Sequence, residues 1–171
     1  RDLLPCRYVP EAIYWLENSG GRFIRHDVAG KEADGHGIGF GDLNGDGRGD
    51  ILTVAGWFEA PHDPKSGKWK AHKTWDLHHA SIPMPVYDVD GDGDADFIYG
   101  NGHDYGLHWM EQTGPDRWRS RLIDDTWSQS HSLELIDLDG DGDVELVTGK
   151  RLRGHSGSDP GSGDPLGIYY Y

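Results

Sequence analysis

The chain has 171 residues, enough for one ordinary domain, and its 26 Gly and 9 Pro argue against a helical bundle. Asp plus Glu number 30 against 16 Lys plus Arg, and the resulting net charge of -14 repels phosphate backbones and anionic lipid, excluding nucleic acid as a partner. No window approaches the run of about 18 apolar residues that membrane insertion needs, and a single cysteine, Cys6, rules out an internal disulfide and any cysteine-based zinc site.

In chain order, Arg1-Asp2-Leu3-Leu4 aligns with Gly49-Asp50-Ile51-Leu52 and reads as the close of an acidic turn followed by a strand. Tyr14-Trp15-Leu16-Glu17 and the segment 22–26 follow as two strands around a turn. A short apolar run at 38–43 enters the first complete acidic turn, Asp42-Leu43-Asn44-Gly45-Asp46-Gly47-Arg48-Gly49-Asp50, and a second run at 51–55 leaves it. Trp57-Phe58-Glu59 and Trp69-Lys70-Ala71-His72 come next. The pattern then repeats: 84–89, the turn from Asp88 to Asp96, 97–99, His108-Trp109-Met110-Glu111 and 118–122. It begins a further time with 133–138, the turn from Asp137 to Glu145, 146–148 and a final 166–171. The flanking runs are too short and Gly-rich for helices, and their β-branched and aromatic content predicts strands.

The first positions of the acidic turns lie 46 and 49 residues apart. Each unit holds four strands: a before the turn, b after it, c with the aromatic-Glu pattern and d with basic residues. A period of this length with four antiparallel strands is that of a propeller blade. A β-sandwich is the alternative, but sandwiches do not need one loop chemistry at a fixed period. The expected fold is therefore all-β: a β-propeller section of about four blades, two incomplete, with the acidic loop between strands a and b. One domain divides into a partial blade 1–28, blades 36–75 and 82–124, and a partial blade 131–171. Open sheet edges invite pairing, so the chain reads as an internal section of a longer propeller. Its remaining blades would come from missing chain or from a second copy; closure as a four-bladed ring by this chain alone is the other option.

Acids at positions 1, 3, 5 and 9 of a tightly wound loop, with Gly at 6, form an oxygen-only set that selects Ca²⁺ over transition metals. An EF-hand is excluded, because position 12 is Thr53, Tyr99 and Thr148 where that motif needs Glu. Solvated Asp-Gly turns are the plain alternative; unneutralised carboxylates a few Å apart repel by about 1 kcal/mol per pair even in water. Three Ca²⁺ would bring the formal charge from -14 to about -8. The first site, with Asn44 where the others have Asp90 and Asp139, is expected to be the weakest.

These turns resemble the FG-GAP and VCBS-type repeat propellers, whose blades carry a calcium loop between their first two strands. The resemblance implies side-chain ligands at Asp42, Asn44, Asp46 and Asp50, at Asp88, Asp90, Asp92 and Asp96, and at Asp137, Asp139, Asp141 and Glu145. Arg48, Asp94 and Asp143 match the position that offers a backbone carbonyl. Phe40-Gly41 reproduces the name-giving dipeptide once; Val86-Tyr87 and Leu135-Ile136 replace it elsewhere. The family likeness implies an extracellular or periplasmic location.

The d-to-a and b-to-c connections fall on the face opposite the acidic loops and hold His36, His78, His79, His103, His131 and His155, with Asp104, Tyr105, Trp127, Lys150, Arg151 and Arg153. His36 and His131 each stand six residues before the first acid of their loop, which turns them towards a common axis. Two readings stay open. In one, the chain is a calcium-binding module that takes a glycan or another protein. In the other it is a carbohydrate-active enzyme of lyase or dehydratase type, with His36, His79, His103 and His131 as candidate catalytic groups and room for an added Zn²⁺ or similar metal. Loop histidines bonded to neighbouring backbone are the plain alternative to both. Trp15, Trp57, Trp109, Tyr14 and Tyr169 are expected in the packing between blades, and His26 and His72 at outer edges.

Overall fold

In the computed structural model, which describes residues 1–5, 12–30, 37–77 and 79–171, the apolar runs beside the acidic turns are strands. β1 (Ile13–Ser19) and β2 (Arg22–Ala29) form a hairpin, to which Leu3 adds a bridge at Leu16. The second sheet runs in the order β3 (Ile38–Gly41), β4 (Asp50–Thr53), β5 (Gly56–Glu59) and β6 (Lys70–His72). The third holds β7 (Val86–Tyr87), β8 (Asp96–Gly100), β9 (Tyr105–Gly114) and β10 (Arg117–Ser128). The fourth comprises β11 (Ser130–Ile136), β12 (Glu145–Lys150) and β13 (Ile168–Tyr170). All pairings are antiparallel between neighbours in sequence, so each sheet is a meander. The fold is all-β, built of small antiparallel sheets; among the described residues the one helical element is a 3-10 turn at Gly154–Gly157.

Strand b of the second and third sheets, β4 and β8, is sandwiched between two neighbouring sheets, because consecutive residues of a strand face opposite ways. Ile51 packs with Ile13, Phe58 and Trp69 towards the first hairpin, whereas Leu52, next in sequence, joins Met84, Phe97 and Met110 towards the third sheet. The same alternation splits β8: Phe97 looks back to the second sheet and Ile98 forward to Leu133 and Leu146 of the fourth. β4 and β8 are accordingly buried along their whole length. Each fully buried Leu, Ile or Phe side chain here contributes about 1.5–3 kcal/mol.

The inner strands approach closely enough to bond across sheets. Met84 N–H donates to the Ile38 carbonyl at 2.9 Å, and a Cβ at Gly39 would stand 2.2 Å from the Met84 carbonyl oxygen, so β3 requires glycine there. Further out, a clasp recurs. His26 stacks on Trp15 (4.3 Å between ring centroids), bonds Glu17 at 2.9 Å and reaches the Lys65 carbonyl in the β5–β6 turn at 3.4 Å. His72 stacks on Trp57 (4.0 Å), bonds Glu59 at 2.8 Å and reaches Asp116 in the β9–β10 turn at 3.0 Å. These histidines do lie on edge strands, but each is covered by a tryptophan ring and ties its sheet to the next.

Candidate functional site

The three acidic turns share one geometry, dictated by their spacing. The first-position carboxylate accepts backbone N–H groups from the far side of the turn: Asp42 from Asp46 (3.1 Å) and Gly47 (2.7 Å), Asp88 from Gly91 (2.8 Å) and Gly93 (3.0 Å), Asp137 from Gly140 (2.7 Å) and Gly142 (3.2 Å). Positions three and five each accept the N–H two residues on, at Asn44, Asp90 and Asp139, then at Asp46, Asp92 and Asp141. The ninth-position acid closes the loop onto position two, Asp50 to Leu43 N, Asp96 to Val89 N and Glu145 to Leu138 N. Asp50 and Asp96 also anchor the end of strand c through Ala60 N (2.8 Å) and Gln112 N (2.7 Å). Gly45 and Gly47, at φ 72° and 83°, show why positions four and six are glycine.

Burial pushes Asp50 up to about 6, against the pull of the Ala60 and Leu43 N–H groups and with the carboxylates of Asp46 and Asp42 adding to the rise. Asp96 is raised by burial in the same way. Carboxylate oxygens of Asp88, Asp90 and Asp96 lie within 4.8 Å of one another, as do those of Asp137, Asp139 and Glu145. Oxygens on opposite sides of a calcium ion are about 5 Å apart, so both groups fit such an ion in separation as well as in donor type. The first loop differs. There Arg48 makes an ion pair with Asp46 and donates Nε to the Ala60 carbonyl at 2.9 Å, placing a guanidinium against one of the expected ligands.

On the opposite face the structure gathers some of the expected histidines. His103 and His131 meet edge to face with ring centroids 6.1 Å apart, and His103 stacks on His155 at 4.5 Å. Asp159 lies between them: Oδ2 accepts from His103 Nδ1 (3.0 Å) and Arg151 Nη2 (2.8 Å), and Oδ1 from His155 Nδ1 (2.8 Å). Burial works to raise the Asp159 carboxyl, but the hydrogen bonds from His155 and His103 prevail and hold it below the usual range. His131 is lowered by burial, helped by the nearby Arg151 and His103 charges. His79 is exposed, and its carbonyl accepts Gly102 N–H at 2.8 Å beside His103. His36 and His78 lie outside the described residues.

Two neighbours of this cluster have other roles. Trp127 is a core residue, stacked on Tyr169 at 4.3 Å and donating Nε1 to the Tyr171 hydroxyl at 2.8 Å. Gln129, which carries no sequence motif, is the hub that holds the long connection after β12. Its Nε2 donates to the Pro160 carbonyl and Ser162 Oγ, both at 2.9 Å, and its Oε1 accepts Gly154 N–H at 3.1 Å. A separate apolar cavity of about 530 Å³ opens between the first hairpin and the second sheet, lined by Leu3, Leu4, Trp15, Phe40, Ile51 and Trp69.

Among the described residues no helix is long and apolar enough to cross a membrane. No curated protein matches the chain. Residues 88–148, from the first acid of the second loop into β12, match the model of the FG-GAP-like repeat, a type typical of extracellular proteins. With its acidic turn and flanking strands, this stretch is similar to an FG-GAP-like repeat.

Proposed function

We propose that the chain is a calcium-binding section of an extracellular β-propeller whose face opposite the acidic loops serves carbohydrate-directed binding. The observation that carries the calcium reading is the bond from the position-six N–H to the first-position carboxylate, shared by all three turns, together with the two groups of carboxylate oxygens whose separations fit Ca²⁺. The ion would supply positive charge between strands a and b. Asp96 and Glu145 would then tie the loop to the start of strand b, and Asp88 and Asp137 would hold the turn folded. Calcium that binds only the folded chain adds its binding energy to stability. Equilibrium dialysis with metal analysis, and melting curves in Ca²⁺ and in chelator, test this. A higher melting temperature in Ca²⁺, reduced in an Asp90→Asn, Asp139→Asn double variant, is the expected result. No calcium uptake and an unmoved melting curve would refute it.

A second reading, a lyase- or dehydratase-type enzyme, is favoured by one observation: Asp159 contacts two imidazoles through their Nδ1 atoms, an arrangement that fixes the orientation of both rings. A His103→Gln variant that melts like the parent and loses turnover on a glycan panel would decide for it.

A further inference from the structure

The seams between successive sheets follow one plan, from which the first departs. Between the second and third sheets lies Leu43, the residue after the first acid of its loop, fully buried in the core there; between the third and fourth, Val89 packs at the corresponding place. Asp50 Oδ2 and Asp96 Oδ2 accept the N–H groups of these two residues, while their Oδ1 atoms accept Ala60 N–H and Gln112 N–H at the end of strand c. Asp2 repeats the second half of this pattern, its Oδ1 accepting Asn18 N–H at 2.8 Å. No N–H among the described residues meets its Oδ2. Asp2 also lines the apolar cavity of about 530 Å³ between the first hairpin and the second sheet, where the other seams hold Leu43 and Val89.

The backbone beside the cavity is open as well. Leu3 uses both its N–H and its carbonyl on Leu16, at 3.0 and 2.8 Å, and alternation along a strand turns those of Leu4 to the other edge. On that edge in the next sheet, Leu52, the counterpart of Leu4, pairs with Gly39 of β3. Side chains agree with the backbone: Leu3 is 50% exposed, whereas its counterparts Ile51 and Phe97 are fully buried. Phe40 is 62% exposed, whereas Val86, its counterpart in β7, lies so close to the preceding sheet that a Cβ at Gly41 would stand 2.5 Å from its own. A small apolar ligand would fill the cavity and leave Asp2 Oδ2 and the edge at Leu4 unanswered; an added strand answers all three. A folded second copy has no such strand to give, since β3, β7 and β11 are paired within their own sheets. Charge favours an acidic segment, because the cavity-lining Arg48 is a cation at loop position seven, where the other loops have Asp94 and Asp143.

We propose that the free edge at Leu4 and the adjoining cavity take up a partner strand by β-addition, an extended segment in which an acidic residue is followed directly by an apolar one. The apolar side chain enters the cavity, its N–H meets Asp2 Oδ2, and the backbone pairs with Leu4, as Leu43 and β3 do beside Asp50 and β4. This site is separate from the proposed calcium and carbohydrate functions and requires neither. The test is fluorescence anisotropy of a labelled peptide with the sequence of residues 133–141, titrated with the full chain, beside the same peptide carrying Leu138→Asp. The expected result is saturable binding, weakened about tenfold or more by Leu138→Asp, the effect of one buried leucine. The Leu4 amide should gain protection from hydrogen exchange when the peptide binds. Phe40→Ser and Asp2→Ala change exposed side chains, so both proteins should melt close to the parent and bind the peptide more weakly. No saturable binding, equal binding of the two peptides, or binding without protection at Leu4 overturns the proposal. A parent chain that sediments as a dimer, with a Phe40→Ser chain that sediments as a monomer, makes the occupant a second copy and overturns it too.

Discussion

Replacing Gln129 by Ala removes a side chain that is fully buried and makes three hydrogen bonds to the connection between β12 and β13. Each such bond contributes about 1 kcal/mol net, and a buried partner left unanswered costs about 1–3 kcal/mol. Gly154 N–H is one such partner, since Gly154 is itself buried. The expected loss is about 3–5 kcal/mol, a large part of the roughly 5–15 kcal/mol that an ordinary domain has. The backbone supplies an internal control. Gln129 sits at φ 63°, in the left-handed region, where a Cβ costs roughly 1–2 kcal/mol. Ala retains that cost and Gly does not, so Gln129→Gly should be at least as stable as Gln129→Ala, the reverse of their usual order. Urea unfolding followed by tryptophan fluorescence measures both, with Trp127 two residues away as a local reporter. Release of the connection should also make the chain cleavable by trypsin at Arg153, an exposed residue that the anchored connection holds in a fixed backbone, under native conditions. A Gln129→Ala protein within 1 kcal/mol of the parent, or a Gly variant clearly weaker than the Ala variant, would refute the assignment of Gln129 as the hub.

Phe97→Ala empties a site with no exposure between the second and third sheets and should cost about 3–5 kcal/mol in denaturant unfolding with an unchanged slope; a loss under 1 kcal/mol would contradict the packing described. His72→Ala should cost about 1–2 kcal/mol through the lost Trp57 stack and Glu59 bond. A double-mutant cycle of His72→Ala with Asp116→Asn should reveal coupling across the two sheets, and strict additivity would argue against the clasp. Tyr171 is pushed up to about 12, first by burial and then by its hydrogen bond to Asp124, with the Trp127 N–H acting in the opposite direction. Because the folded chain keeps this proton longer than the unfolded one, the contribution is complete below about pH 10 and disappears as pH rises through about 12. Tyr171→Phe should therefore flatten the alkaline fall of melting temperature in that window, and an unchanged alkaline limb would show the bond to be inconsequential.

The acidic turns and the strands around them are legible in the chain because their physics is local. Nine consecutive residues contain the carboxylates, the glycines and the N–H groups they accept, and so the same spacing yields the same turn three times. The uninterrupted apolar runs of β4 and β8 likewise announce burial on both faces. What lies across long sequence separations is not written this way. Asp159 reaches His103 over 56 residues and Gln129 reaches Ser162 over 33, with no motif at either end. The first loop shows the same limit on a shorter scale, since only folding turns Arg48 back onto Asp46 and brings its Nε to Ala60. Trp127 stands among polar loop residues in sequence, yet β10 buries it against Tyr169. Local spacing determines a turn because its partners are always near; which sheet covers a given side chain depends on how the units stack, and that contact exists only once the chain has folded.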